Sequence, residues 1–222
     1  MDQNRSLKVL ADGISVADGC HIRLRGKITL SLYPDLFQLD IWYLSDEGFY
    51  ALGNASLLEV YHEKDLIASG EVSEVTRREL PEGELTTVSF GLGLSFWESR
   101  VSLTVPAGSR VSETVKMILA AAKDPSMAQR TQGVDHSGSS VNSTPISLGP
   151  WSGADPAFTR SQAFHGRTAD AISTALSAIH ASAYLTAGGL QVIPPGGTFE
   201  EKSFDLDNDS GLWLMEPRTI NV

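Results

Sequence analysis

Apolar and polar residues alternate with a period of two through the first hundred residues, and no other feature constrains the chain as strongly. Residues 27–32 read KITLSL, with Ile28, Leu30 and Leu32 on one face. Residues 37–43 read FQLDIWY, so Phe37, Leu39 and Ile41 alternate with Gln38, Asp40 and Trp42. Further strands are predicted at 56–62 (SLLEVYH), 66–76 (LIASGEVSEVT), 85–94 (LTTVSFGLGL) and 101–105 (VSLTV). Short polar connections separate them: Tyr33-Pro34-Asp35, Lys64-Asp65, and Leu80-Pro81-Glu82-Gly83. Gly70, inside one of these runs, predicts a bulge or bend. At least six antiparallel strands, with no helix before residue 108, predict a closed or nearly closed antiparallel β-barrel over residues 1–107.

The period changes at Gly108. Val111, Val115, Ile118, Leu119 and Ala122 fall on one helical face, with Ser109 placed to cap it and Glu113 in its first turn. Residues 131–153, rich in Gly, Ser, Asn and Pro, read as a long surface loop. A strand is expected at 158–165. Ile172, Ala175, Leu176, Ile179 and Ala183 mark a second helix with Thr168 as its cap and Asp170 in its first turn. A hairpin through Gly188-Gly189 joins 184–186 to 190–193, and a last strand is expected at 211–215. Residues 108–222 therefore read as a small α+β domain with two helices, and the whole chain as α+β.

Charge narrows the classes of partner. The chain holds 17 Lys and Arg against 27 Asp and Glu, a net charge of −10. Gripping nucleic acid through its phosphates needs clustered cations, and so does an anionic membrane surface. Cys20 is the one cysteine, which excludes an intrachain disulfide and a cysteine zinc site. The N-terminal MDQNRSLKVLADG has no apolar run of a secretory signal, and no stretch reaches the ~20 apolar residues of a membrane span. The expectation is a soluble chain made in a cytoplasm, with no membrane insertion.

Catalytic signatures are missing. There is no HExxH, GxSxG or Walker loop, and His21, His62, His136, His165 and His180 share no ligand spacing. Cys20 and His21 are adjacent, too close for the usual dyad geometry. No catalytic or cofactor-binding residue is predicted. One acidic run resembles a calcium loop: Asp205, Asp207 and Asp209 alternate, and Glu216 follows at the twelfth position. Ser210 stands where that loop needs glycine, and Pro217 follows Glu216 directly, so a solvated acidic turn is the stronger reading. Trp42 and Tyr43 point away from the Phe37, Leu39 and Ile41 face. They are interface candidates, with packing under a loop of their own chain as the equal alternative.

Order and spacing of several motifs raise a family. PDLFQLDIWYL begins at Pro34, LLEVYHEKDLIASGEVSEVTRRE follows, and TTVSFGLGLSFWESRVSLTVPAGSRVSETVKMILAAA runs to Ala122. A second stretch, FHGRTADAISTALSAIHASAYLTAGGLQVIPPGG, covers 164–197. Together they resemble the baseplate hub proteins of long-tailed phages and contractile injection systems. The resemblance implies a tail tube-like barrel, a structural and non-enzymatic role, and a place in the virion tail after synthesis in the bacterial cytoplasm. It also implies a self-assembled ring, trimeric in the full-length form. Tail tube and spike or tip proteins would be its partners, and DNA would pass through the channel without specific binding. Hub chains are longer, and this one stops in mid-strand by pattern, so it is expected to be a fragment or a shortened member. A tail tube or tube-terminator subunit is the alternative within the tail. A baseplate-borne cell-wall hydrolase and a carbohydrate-binding β-module are alternatives of other classes.

Overall fold

The structure, a computed structural model, describes residues 7–94, 96, 99–122, 146–186, 189–208 and 213–222. It is α+β and mostly antiparallel sheet. In chain order the elements are β1 (Leu7–Ala11), β2 (Ile14–Ser15), β3 (His21–Ile28), β4 (Leu36–Trp42), α1 (Asp46–Asn54), β5 (Leu58–His62), β6 (Asp65–Leu80) and β7 (Gly83–Gly91). They continue with β8 (Arg100–Val105), α2 (Val111–Ala122), β9 (Gln162–Arg167), α3 (Thr168–Ser177), β10 (Ser182–Thr186), β11 (Gly189–Ile193), β12 (Thr198–Asp207) and β13 (Trp213–Asn221). Two compact units result, and neither is a continuous stretch of chain. One comprises Met1–Thr29, Asp35–Leu92 and Glu201–Arg218; the other comprises Leu30–Pro34, Gly93–Glu200 and Thr219–Val222.

The first unit is built on a nine-stranded sheet in the order β13-β12-β3-β4-β7-β6-β5-β1-β2. Among the described residues this order is open, with β13 and β2 at its ends. The inward positions of alternate strands meet in one core: Val9, Ile22, Leu24, Leu39, Ile41, Leu58, Val60, Val88, Phe90 and Leu206 are all at most 1% exposed. Burying each of the larger side chains contributes roughly 2 kcal/mol over leaving it in water. β6 is the strand that turns the corner. Its first half pairs with β5, Leu58 opposite Gly70, and its second half pairs with β7, Glu71 opposite Gly91. The register slips between Val72 and Glu74, which adds twist at the same place.

Two expectations for this half are corrected. A helix does precede residue 108: α1 starts where the Ser45 hydroxyl accepts from the Gly48 N–H at 3.1 Å, with Asp46 and Glu47 in the first turn. It drives Leu52 into the core at 0% exposure. Nine residues with Gly48 and Gly53 among them give too short an apolar stripe to stand out from the strand periodicity. The strand expected at 27–32 ends instead at Ile28, because Ile22 and Leu24 supply its buried face and Thr29 turns out of the sheet. There the Asp35 carboxylate accepts from the Thr29 N–H at 3.1 Å and from its hydroxyl at 2.7 Å.

In the second unit β8 and β9 pair antiparallel, Val101 opposite Gly166, and β10 pairs with β11. α2 buries Val111, Val115, Ile118 and Leu119, and α3 buries Ile172, Ala175 and Leu176. The caps differ from those expected. Asp155 accepts from the Ser112 N–H at 2.9 Å and from its hydroxyl at 2.8 Å, and Glu113 reaches back to the Arg110 N–H at 3.0 Å. Thr168 is the first residue of α3 rather than its cap, because its hydroxyl is taken by the Ser99 hydroxyl at 2.6 Å.

Candidate functional site

The face of the first sheet that turns away from the core carries a charge ladder. On β3 the outward residues are His21, Arg23, Arg25 and Lys27, a stripe of basic side chains set by the strand period. β12 lies on one side of it and β4 on the other, and both present acids. Arg23 holds Asp205 by two hydrogen bonds, from Nε at 2.8 Å and from Nη2 at 2.5 Å. Arg25 Nη2 donates to Asp40 at 2.5 Å, and Lys27 Nζ lies 3.0 Å from Glu201. His21 Nε2 stands 3.6 Å from Asp207 Oδ2. Arg23 faces Asp207 and Asp40 across the ladder but reaches diagonally to Asp205, so charges of opposite sign interleave.

Asp40 is the most enclosed member, 4% exposed, and it also accepts from Gln38 Nε2 at 3.1 Å and Thr87 Oγ1 at 2.9 Å. The Arg23 hydrogen bonds hold the Asp205 carboxyl below the usual carboxylate range, and the same bonds raise the Arg23 guanidinium. Acids and bases on this face pair with one another across three strands.

The predicted calcium residues are placed differently from a calcium loop. Asp205 and Asp207 belong to β12 and serve the ladder. Glu216 is exposed on β13, and Asp209 lies outside the described residues. Among the described residues, no group of three or more His, Cys, Asp or Glu side chains could hold a metal ion.

Sequence reasoning missed one Ser–His pair, since it depends on strands far apart in the chain. Ser102 Oγ is 2.9 Å from His165 Nδ1, directly opposite it on β8 and β9. Both side chains are exposed, whereas a nucleophile needs a base that is itself oriented and shielded. The pair is a cross-strand hydrogen bond of the kind that stabilises sheets. Burial, then the Asp18 charge, raises the Cys20 thiol, which makes it a poor nucleophile.

The two interface candidates diverge. Trp42 is half-buried, with the His21 ring standing edge-on at 4.3 Å between centroids. Tyr43 is 66% exposed and sits in the left-handed region at φ 62°. Its N–H donates to the Glu84 carbonyl at 3.0 Å and its hydroxyl to the Glu82 carbonyl at 2.6 Å. Residues 131–145 of the loop expected at 131–153 lie outside the described residues.

No protein-family profile matches the chain, and no curated protein matches it. Solved structures do. The tail protein from Neisseria meningitidis MC58 superposes with a TM-score of 0.55 at 14% identity, over 85% of this chain and 53% of that one. The 43 kDa tail protein of prophage MuSo2 from Shewanella oneidensis gives 0.52 at 10% identity, over 87% and 55%. The E. coli c3393 protein, a type VI secretion component with structural similarity to T4 bacteriophage tail proteins, gives 0.46 at 11% identity, over 85% and 49%. The chain spans about half the length of each. The first two carry the argument: the fold is one found in phage tail proteins.

Proposed function

We propose that this chain is a structural component of a phage or prophage tail, of baseplate hub type, and forms part of a ring that joins the tail tube to the spike or tip proteins. The observation that carries the reading is the agreement of fold with two tail proteins over 85% and 87% of the chain. The order and spacing of the motifs at 34–122 and 164–197 support it independently. In this reading the tube-like barrel expected from residues 1–107 is supplied by the first unit, with β12 and β13 joined to it and β8 left out, and the sheet bent at Gly70 forms its wall. The ring is built from copies of the chain, as a trimer in the full-length form. Its role is mechanical rather than catalytic, and DNA passes without specific binding. A charge ladder whose members neutralise one another suits a wall that must be stiff without retaining a polyanion. Trp42 and the 131–153 loop are the candidate contacts between subunits.

The test uses antibodies raised against the chain and tail-like particles from the strain that carries its gene. Gold label confined to the baseplate end of the tail supports a hub. Label along the whole tail would assign a tube subunit instead, and unlabelled particles would remove the tail reading altogether. A lysis assay on peptidoglycan with the purified chain at stoichiometric dose tests the non-catalytic role, and clearing would assign a hydrolase.

A further inference from the structure

Neither the core nor the charge ladder accounts for an exposed apolar patch at the β6–β7 turn. Tyr43 is 66% and Leu80 38% exposed, and both adjoin Gly83: Leu80 pairs with it, and the Tyr43 ring lies against it. Gly83 has φ 124°, and a Cβ there would stand 2.5 Å from the ring. With its hydroxyl and N–H also fixed on Glu82 and Glu84, the ring is held in place while most of it faces water. A tyrosine preset in this way loses little rotamer freedom when it is covered, and tyrosines are enriched among interface anchors.

Charge states the chemistry of what covers it. The first unit holds 20 of the 27 acidic and 10 of the 17 basic residues, so the whole net charge of −10 resides there. Several of its cations are already committed: Arg23, Arg25 and Lys27 to the ladder, and Arg77 to Asp46 and Glu84. Beyond Asp46, which Arg77 holds, Glu47, Glu79 and Glu82 near the patch in sequence are exposed, against the exposed Arg78. An acidic rim about an apolar centre selects a cationic partner and repels nucleic acid and other acidic surfaces, including the first unit of a second copy.

We propose that the Tyr43–Leu80 patch is a docking surface for a cationic segment of another protein, one that lays an apolar side chain on the Tyr43 ring. This goes beyond a place in a tail and does not depend on it. The test pans random short peptides against the immobilised full chain. Enriched sequences are expected to combine Lys or Arg with an aromatic or large aliphatic residue, and to bind more weakly as salt rises. Tyr43→Ala is expected to weaken them about tenfold or more, and Tyr43→Phe by much less. Since Tyr43→Ala also removes a brace of the turn, the Glu79→Lys/Glu82→Lys double variant repeats the test with two exposed side chains, and it too is expected to weaken capture about tenfold or more. Neutral or acidic consensus sequences, an empty selection, or binding that neither variant moves would each overturn the proposal. Self-association of the wild type that the double variant abolishes would also overturn it and assign the patch to a second copy. None of these outcomes bears on the gold-labelling result.

Discussion

Gly70 lies against the peptide of Gly91: a Cβ on Gly70 would stand 2.2 Å from the Gly91 carbonyl carbon and 2.4 Å from its oxygen. The two meet where β6 leaves β5 and takes up β7. Backbone against backbone at that distance leaves no flexible side chain to move aside. Gly70→Ala is therefore expected to cost about 2–4 kcal/mol, because the corner itself must open. Urea unfolding checks this, and a loss within ~0.5 kcal/mol, typical of a surface change, would refute it.

Arg77 ties α1 to the sheet. Its Nη1 donates to Asp46 at 2.5 Å, and its Nη2 to the Leu44 and Ser45 carbonyls at 3.1 Å each. Glu84 lies 3.1 Å from its Nε as an ion pair without hydrogen-bond alignment, and the guanidinium sits 4.4 Å over the Phe49 ring. Arg77→Ala is expected to destabilise by about 2 kcal/mol. Arg77→Lys should recover less than half, since an ammonium cannot serve both carbonyls and the ring as a planar fork does. Thermal melts of the two variants decide it; full recovery by lysine would reduce Arg77 to a simple point charge.

The Arg23–Asp205 pair predicts a particular pH dependence. Asp205 titrates below its ordinary value in the folded chain, so its contribution is present above the unfolded pKa of about 3.9 and fades as pH falls through the folded value. Asp205→Asn is expected to be about 1 kcal/mol less stable than wild type at neutral pH, after discounting for its partial exposure. The gap should close at acid pH. Denaturation at a series of pH values tests this, and a gap that stays constant down to strongly acid conditions would show that the ion pair contributes nothing.

Asp35 has the opposite sign. Burial pushes its carboxyl up, and the Glu201 charge adds to this, against the pull of the Thr29 hydrogen bonds and the Lys27 charge. Its contribution to stability is thus fully present below the unfolded pKa and is lost as pH rises through the folded value. Asp35→Asn, which keeps an acceptor for Thr29, should match wild type at acid pH and equal or exceed it at neutral pH. Wild type gaining on the variant as pH rises would contradict the assignment.

Strands β4, β5 and β7 and helix α2 are readable from local periodicity, because each has enough residues on one face to express its period. The bend at Gly70 is readable too, since glycine inside a strand run has few other uses. The joining of β12 to β3 is not. Asp205 and Asp207 look like alternating metal ligands only when the basic partners are out of view, and Arg23 and Arg25 lie about 180 positions earlier in the sequence. The same holds for Tyr43: it continues the odd-numbered run of Phe37, Leu39 and Ile41, so period two alone would bury it, and the left-handed φ of 62° and the hold of Gly83 and the Glu82 carbonyl that leave it exposed are not visible locally. Ser102 and His165 likewise meet only through the β8–β9 pairing. Short-range patterns record which face a residue takes, and long-range pairing decides what it meets.

The return of β12 to β3 sets an order on synthesis. At ~5–20 residues per second, β3 leaves the ribosome on the order of ten seconds or more before its neighbour exists. In that interval the second unit's strands and helices are made, and one edge of β3 is bare. An uncovered strand edge is a template for pairing with any other chain, and nascent proteins are crowded with such chains. Arg23, Arg25 and Lys27 line that edge as a row of like charges with no acid beside them except Asp40. The stripe that later locks β12 in place is, until then, what keeps unrelated strands away.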